Sequence, residues 1–572
     1  MRAALLAGLV AAAIASVGLA DAPFIDPPEG FHVEIAREML ADGAFVTPRL
    51  NDVRYFDKPP VPYWLMAASF SVAGPSPGAA RVWSAIALVG IAAATAAIGV
   101  LLRGPRLGFL AGLFATANLG LFLYARLVKP DLLFVFFLTL GWLGVVIAGR
   151  GFGARVPGLA LCYASLGIAA ITKDVLGAVG PLAVLAIALA WSGERPLSRW
   201  FPWWGGAVLL IVATPWYLAV EAQNGGFLWY TIVDNHLLNL VRQRAFPDED
   251  VPLRGIEFLF VTAVAFVPWV AAAPIGFARA LREPPATLEA KLWRIFGLWA
   301  FVVIGFFAVT PFKLPHYAFP AFPALALLAA RVWDEALGDL RTPRLTLVPV
   351  LVLFVLLAAG FAAMSFGVVS LGPGELTSVD VATRNLSARG QDAPAASLQA
   401  WRPVLVSSTV IFVVAVVVLA VSVRRRAVAL GAAAAVGAMI AFLPLAGQGM
   451  ADFARARSAA PVVEALMNRV GTSEVIHEGA LEHSGSILLA LRRPVHVVNG
   501  LASNLAYGAT FSDSRHLFWD EARFAREWNA AGRRFLVSVV PPEQSVVSRL
   551  PAGGAHLLAR SGTHWLYSNL AD

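Results

Sequence analysis

Charge is what this sequence is short of. Only 14% of its 572 residues are Asp, Glu, Lys or Arg, against roughly 25% in an ordinary soluble domain. Hydrophobic residues make up 58% and mean hydropathy is +0.71, which excludes a chain solvated mainly by water. Cysteine is almost missing. Cys162 stands alone inside LCYASLGIAA, so no intramolecular disulfide forms and the redox compartment leaves no trace. There is no internal repeat and no low-complexity tract, and GRGFG at 149–153 has no strand before it to make a nucleotide loop. The net charge of +8 sits in short loops between apolar runs, the pattern of cytoplasmic loops, and calls for no nucleic-acid partner.

What is present is a series of about thirteen apolar runs near the length that crosses a bilayer. They lie near 2–20, 79–102, 107–124, 131–148, 157–172, 174–192, 204–220, 256–277, 294–310, 317–332, 345–370, 405–423 and 427–447. Alternate loops carry the basic residues: Arg103 and Arg106, Arg150 and Arg155, Arg195 and Arg199, Arg279 and Arg282, Arg341 and Arg344, and Arg424 to Arg426. With Arg2, that side reads as cytoplasmic. The opposite side receives 21–78, 221–255, 371–404 and the tail from about 448. The first run also ends in small residues, Gly18-Leu19-Ala20 before Asp21, so a cleaved signal peptide is the alternative reading there.

The tail changes character. Short β-rich runs (HVVNG, FLVSVV, HWLYSN) and the amphipathic FWDEARFAREWNAAG predict a small α/β domain. It shows no catalytic cluster, and His477, Glu478 and His483 read as surface residues rather than a metal site. A separate core, dispensable for the chemistry, is the expectation. The predicted domains are therefore 1–447, a membrane domain containing the first external loop 21–78, and 448–572, a soluble external domain.

The informative residues lie in that first loop. In DPPEGFHVEIAREML, Phe31, Ile35 and Met39 share a row and Glu34, Arg37 and Glu38 oppose them, which predicts a short helix lying flat in the interface. YFDKPPVPYW follows, where Pro59, Pro60 and Pro62 are expected to forbid a regular helix before Tyr63. The Asp57-Lys58-Pro59-Pro60 corner would then hold a carboxylate and an ammonium on an exposed rigid turn.

These segments resemble the GT-C membrane glycosyltransferases of the aminoarabinose transferase and protein O-mannosyltransferase group. The resemblance rests on EGFHVEIAREML, on TPRLN at 47–51, and on YFDKPPVPYW at 55–64. It continues through ARLVKPD, ITKD, TPWY, DNHLLNLV and KLPHYAFPAFPALALL. It implies a polytopic α-helical GT-C fold with external juxtamembrane helices and a C-terminal α/β domain. It also implies transfer of a sugar from a polyprenyl-phosphate donor to a lipid or glycan acceptor. One departure stands out: where the group has Asp-Glu, this chain has Pro28-Glu29. Asp26 or Glu29 then becomes the candidate base, with Asp57 and Asp131 beside them.

Negative charge develops on the leaving phosphate, so fixed cations lower the barrier. Lys58, Arg126, Lys129, Lys173 and Lys313 are on the external side to supply them, with His316 and Tyr317 as further phosphate contacts. The resemblance also places His236 against the corner acid, which makes Asp57 and His236 a candidate pair for Zn or Mn. A transporter would carry ionisable residues in mid-span. These spans have almost none, which leaves a surface reaction or an inactive assembly subunit as the readings to compare.

Overall fold

The computed structural model describes residues 1–247, 251–338, 343–369, 380–388, 397–501 and 503–571. Arg341 and half of the expected external segment 371–404 lie outside them. The chain opens with α1 (Arg2–Ser16), α2 (Gly30–Asp42), the hairpin β1 (Arg49–Leu50) and β2 (Val53–Arg54), and α3 (Val61–Ala73). The membrane bundle follows as α4 (Pro77–Arg103), α5 (Pro105–Thr116), α6 (Leu119–Tyr124), α7 (Asp131–Ala148), α8 (Phe152–Ala170), α9 (Leu176–Trp191) and α10 (Trp203–Gln223). It continues through α11 (Gly255–Ala265), α12 (Ala273–Arg282), α13 (Leu288–Val309), α14 (Phe322–Gly338) and α15 (Pro343–Ser365). After α16 (Val381–Ala388) come α17 (Leu398–Arg425) and α18 (Val428–Arg457), the last running past residue 447.

Among the described residues eight helices are long and apolar enough to cross a membrane, nine if α11 and α12, bent by 116° at their junction, count as one span. The remaining four of the thirteen expected runs are shorter or broken. Runs 2–20 and 174–192 contain the shorter helices α1 and α9, and 317–332 opens as a 3₁₀ turn, Pro315–Ala321. The run 107–124 breaks between α5 and α6. There the buried Asn118 accepts from Leu121 N (3.0 Å) and donates to Phe114 O (3.1 Å) and Ala115 O (2.7 Å). One side chain thus satisfies both helix ends where lipid offers no partner.

The basic loops meet at one end of the bundle, as the alternation predicted. Arg103 pairs with Glu289 and reaches Glu335 at 2.7 Å, Arg331 reaches Glu283 at 2.5 Å, and Lys291 reaches Glu194 at 2.6 Å. The first loop and the tail meet at the other end.

The tail contains α19 (Ala460–Met467), β3 (Glu474–Glu478), α20 (Gly485–Leu491), β4 (His496–Val498), β5 (Phe518–Trp519), α21 (Glu521–Trp528), β6 (Arg534–Ser538), β7 (His556–Ser561) and β8 (His564–Ser568). The sheet order is β5-β4-β3-β6-β8-β7, four parallel strands closed by an antiparallel hairpin. In α21, Asp520 caps the N-terminus, and Phe524 and Trp528 fill the core. His477 and Glu478 are buried, not surface residues: Glu478 accepts from Ser538, Ser545 and Val546 N, and His477 bonds Ser484 Oγ at 2.7 Å.

The tail is not a separate core. Phe31, Ile35, Met39 and Leu50 of the first loop share one apolar cluster with Leu466, Leu488, Val497 and Phe535. Helix α2 is therefore buried on nearly every side, Glu34 and Glu38 included, instead of lying half-wet at an interface. Its crossing with α20 runs through Gly30 and Gly485, where a Cβ on either would collide with the other backbone. The β1–β2 hairpin turns at Asn51-Asp52 with φ of 59° and 61°, the left-handed pair of a type I′ turn. Asn51 then clamps the tail backbone, donating to Val495 O (2.9 Å) and accepting from Val495 N (2.7 Å).

Replacing Asn51 by Ala leaves both Val495 groups buried without partners, a loss of about 1–3 kcal/mol for each. The expected outcome is a clear fall in the melting temperature of the detergent-extracted protein. A chain cut after Arg457 should extract poorly, and full yield with unchanged melting would refute the shared core.

Candidate active site

The corner is more regular than its prolines suggested. Helix α3 begins at Val61 with Pro62 in its first turn, where a missing N–H costs no hydrogen bond, so Tyr63 is already helical. The turn is also not exposed. The Asp57 side chain keeps only 10% of its accessibility, pairs with Lys58, and accepts from Asn235 Nδ2 at 3.1 Å. Burial raises its pKa, but the charge and hydrogen bond of Lys58 outweigh it, and the carboxyl is held at about 2.

Beside the corner a narrow crevice opens between α2, α3, α4 and the start of α7, lined by His32, Lys58, Tyr63, Trp83, Ser84 and Lys129. Among the described residues the Lys129 ammonium has no hydrogen bond or ion pair. His32 Nδ1 lies 2.8 Å from the Tyr63 hydroxyl. Burial pushes the His32 imidazole well below its usual pKa, and Lys129 and Lys58 push it the same way. A second group adjoins: Asp131 takes Lys173 Nζ at 2.6 Å and lies 3.4 Å from His316 Nε2, while His316 Nδ1 meets Tyr124 at 2.9 Å. Lys173 also sits 4.9 Å over the Tyr317 ring.

The structure thus gathers Asp57, Lys58, Lys129, Asp131, Lys173, His316 and Tyr317, and leaves four expected residues elsewhere. Arg126 donates to Ile14 O and Val17 O, closing the C-terminus of α1. Lys313 is tied to Ala308 O at 3.0 Å, at the end of α13. Glu29 is fully buried: Arg81 grips it with two bonds of 2.7 and 2.8 Å, and Ile25 N and Val128 N each donate at 3.0 Å. With every acceptor position filled, it is a structural tie and has no room to take a proton from a substrate. Asp26 accepts from Ser486 N (3.2 Å) at the α20 N-terminus and faces the tail. Sequence reasoning missed His32, Tyr63 and Tyr507. Tyr507 comes from the tail, stacks on Tyr230 at 4.5 Å and packs 5.3 Å from Phe56.

Asp57 and His236 each have other partners. His236 Nδ1 turns to the Thr231 carbonyl within the π-helical turn Trp229–Leu238, and its neighbour Asn235 is the residue that meets Asp57. Among the described residues no three of His, Cys, Asp and Glu converge as metal ligands.

With this geometry the class is defined: the fold is that of the GT-C membrane glycosyltransferases. The crystal structure of ArnT from Cupriavidus metallidurans bound to undecaprenyl phosphate superposes with a TM-score of 0.81 at 22% identity, covering 99% of this chain and 98% of that one. An archaeal oligosaccharyltransferase, AglB from Archaeoglobus fulgidus, follows at 0.52 and 11% identity, covering 94% of this chain and 69% of its own. The family model for dolichyl-phosphate-mannose-protein mannosyltransferase matches residues 57–218, from the corner acid to α10. Among curated proteins, the undecaprenyl phosphate-alpha-4-amino-4-deoxy-L-arabinose arabinosyl transferase 2 of Pseudomonas fluorescens is 28% identical over 318 residues. The Shewanella sediminis arabinosyl transferase is 28% identical over 317. These matches span only about half of each partner, 54% of this chain and 56% of the first relative.

Two predictions follow from the carboxylates set aside as bases. Glu29→Gln breaks a buried pair and should cost about 3–5 kcal/mol in stability, seen as lost melting temperature, while the protein that still folds turns over. Burial raises Asp26 from 3.8 to about 7 against the pull of Ser486. Its contribution is present below the unfolded pKa and is lost as pH rises through about 7. Asp26→Asn should therefore gain on wild type in melting temperature between pH 5 and pH 8. A gap that stays constant with pH removes Asp26 as the source.

Proposed function

We propose that this protein transfers a sugar from a polyprenyl-phosphate donor to a lipid or envelope-glycan acceptor at the periplasmic face of the bacterial inner membrane. The observation that carries the reading is the crevice with its spare ammonium, Lys129, next to Lys58 and close to Lys173. A phosphate tethered by its lipid at the bilayer surface would find three cations there, two of them already oriented by Asp57 and Asp131. As the anomeric carbon–oxygen bond breaks, charge grows on that phosphate, and cations held in place stabilise it without reorganising.

The solved ArnT of the same fold holds undecaprenyl phosphate, and the curated relatives are named for an undecaprenyl-phosphate aminoarabinose. Both support this donor class. The family model over 57–218 supports a protein hydroxyl as the second reading. In this scheme 1–447 carries the donor site, and 448–572 closes over it from the periplasm with Tyr507 beside the corner. This scheme routes no charge through a divalent ion: the ammonium groups of Lys58, Lys129 and Lys173 carry the phosphate.

Lys129→Ala should lower transfer from an undecaprenyl-phosphate sugar by at least tenfold while melting stays at wild-type temperature, since no partner is orphaned. Treatment with EDTA should leave the wild-type rate unchanged. A Lys129→Ala protein at full rate would remove the crevice as the donor site.

A further inference from the structure

The expected catalytic carboxylates all have partners: Glu29 has Arg81 and two backbone N–H groups, Asp26 has Ser486, Asp57 has Lys58 and Asn235, and Asp131 takes Lys173 through Oδ1. Within the crevice lining, the side chain built to take a proton is His32. We infer that His32 is the general base of the transfer and that the acceptor is a hydroxyl. This rests on the transfer reading above and fills the gap left by Pro28.

His32 is 5% exposed and sits in the first turn of α2, so its ring is fixed by packing against Phe31 and by the Tyr63 hydroxyl. Nε2 makes no hydrogen bond among the described residues, and the proposed base is the tautomer that keeps its proton on Nδ1, toward the Tyr63 hydroxyl. The charged groups around it are Lys58 and Lys129 on one count and Asp57 and Asp131 on the other. Burial and the two ammonium groups keep the imidazole neutral, the form that can accept a proton. The same two ammonium groups attract the donor phosphate, so base and leaving group share one crevice.

The step balances. The acceptor oxygen forms a bond to the anomeric carbon, whose bond to the phosphate oxygen breaks with its electron pair going to phosphate. The acceptor proton moves to His32 Nε2 and leaves to solvent before the next turnover. A phosphate or carboxylate acceptor, already ionised, would need no such base. Tyr63 is a positioning residue here, since it sets which ring nitrogen is free.

The test uses the full-length protein in detergent with an undecaprenyl-phosphate sugar as donor and a lipid-linked glycan as hydroxyl acceptor. His32→Gln should lose roughly 10²-fold or more in kcat, the scale of general-base catalysis, with donor KM unchanged. Azide, an ionised nucleophile, should form glycosyl azide at equal rates with wild type and His32→Gln. Wild-type kcat should hold as pH falls through 6.5 and drop only below it, and this acid limb should vanish in the variant. His32→Gln at wild-type rate, or equally slow toward azide, overturns the assignment. Wild-type protein that consumes no polyprenyl-phosphate sugar sinks the transfer reading and this proposal with it.

Discussion

The arrangement depends first on a buried ion pair, Glu29 with Arg81. Arg81 lies in the second turn of α4 and Glu29 immediately before α2, so their two bonds fasten the first loop to the bundle. The same carboxylate receives Val128 N from the segment leading into α7, and Arg81 also donates to Leu19 O, Ala22 O and Pro23 O. One pair therefore gathers three stretches of chain. Such a pair recovers its desolvation cost only when every lone pair and N–H is used, and here nearly all are. The crevice lies between the pieces it joins, with His32 following Glu29 by three residues and Lys129 following Val128 by one.

Around the crevice the charges are sorted by role. Asp57 and Asp131 each hold a lysine, which orders the cation. Lys129 has no hydrogen bond or ion pair among the described residues, and burial with the two lysines pushes the His32 imidazole below its usual pKa. A carboxylate in the place of His32 would be drawn to the same lysines and become one more counter-ion. An imidazole, disfavoured as a cation by those lysines, keeps its lone pair.

Much of this was legible in the sequence. Hydropathy located the bundle, the basic loops assigned its two ends, and the DKPP corner lies beside the crevice. The alternation of β-rich runs gave the tail its class. What sequence could not show was commitment: Asp26, Glu29 and Asp57 read alike as acidic residues near one motif, and only their partners separate a tie from a catalyst. Glu29 finds Arg81 52 residues away, and Asn51 finds Val495 444 residues away, distances over which periodicity carries no information. The break at Asn118 escaped for another reason. A single polar residue in an apolar run does not lower hydropathy enough to announce two helix ends.

The contact of Gly30 with Gly485 has a consequence in time. Helix α2 is synthesised roughly 430 to 500 residues before the side chains that cover it, those of Leu466 to Phe535. At about 5–20 residues per second, the loop waits roughly 20 to 100 seconds for its other half. Through that interval Phe31, Ile35 and Met39 lack the tail side chains that bury them in the finished protein. The crevice is thus begun long before it is completed, and a chain stalled ahead of the tail carries the corner motif without finished packing around it.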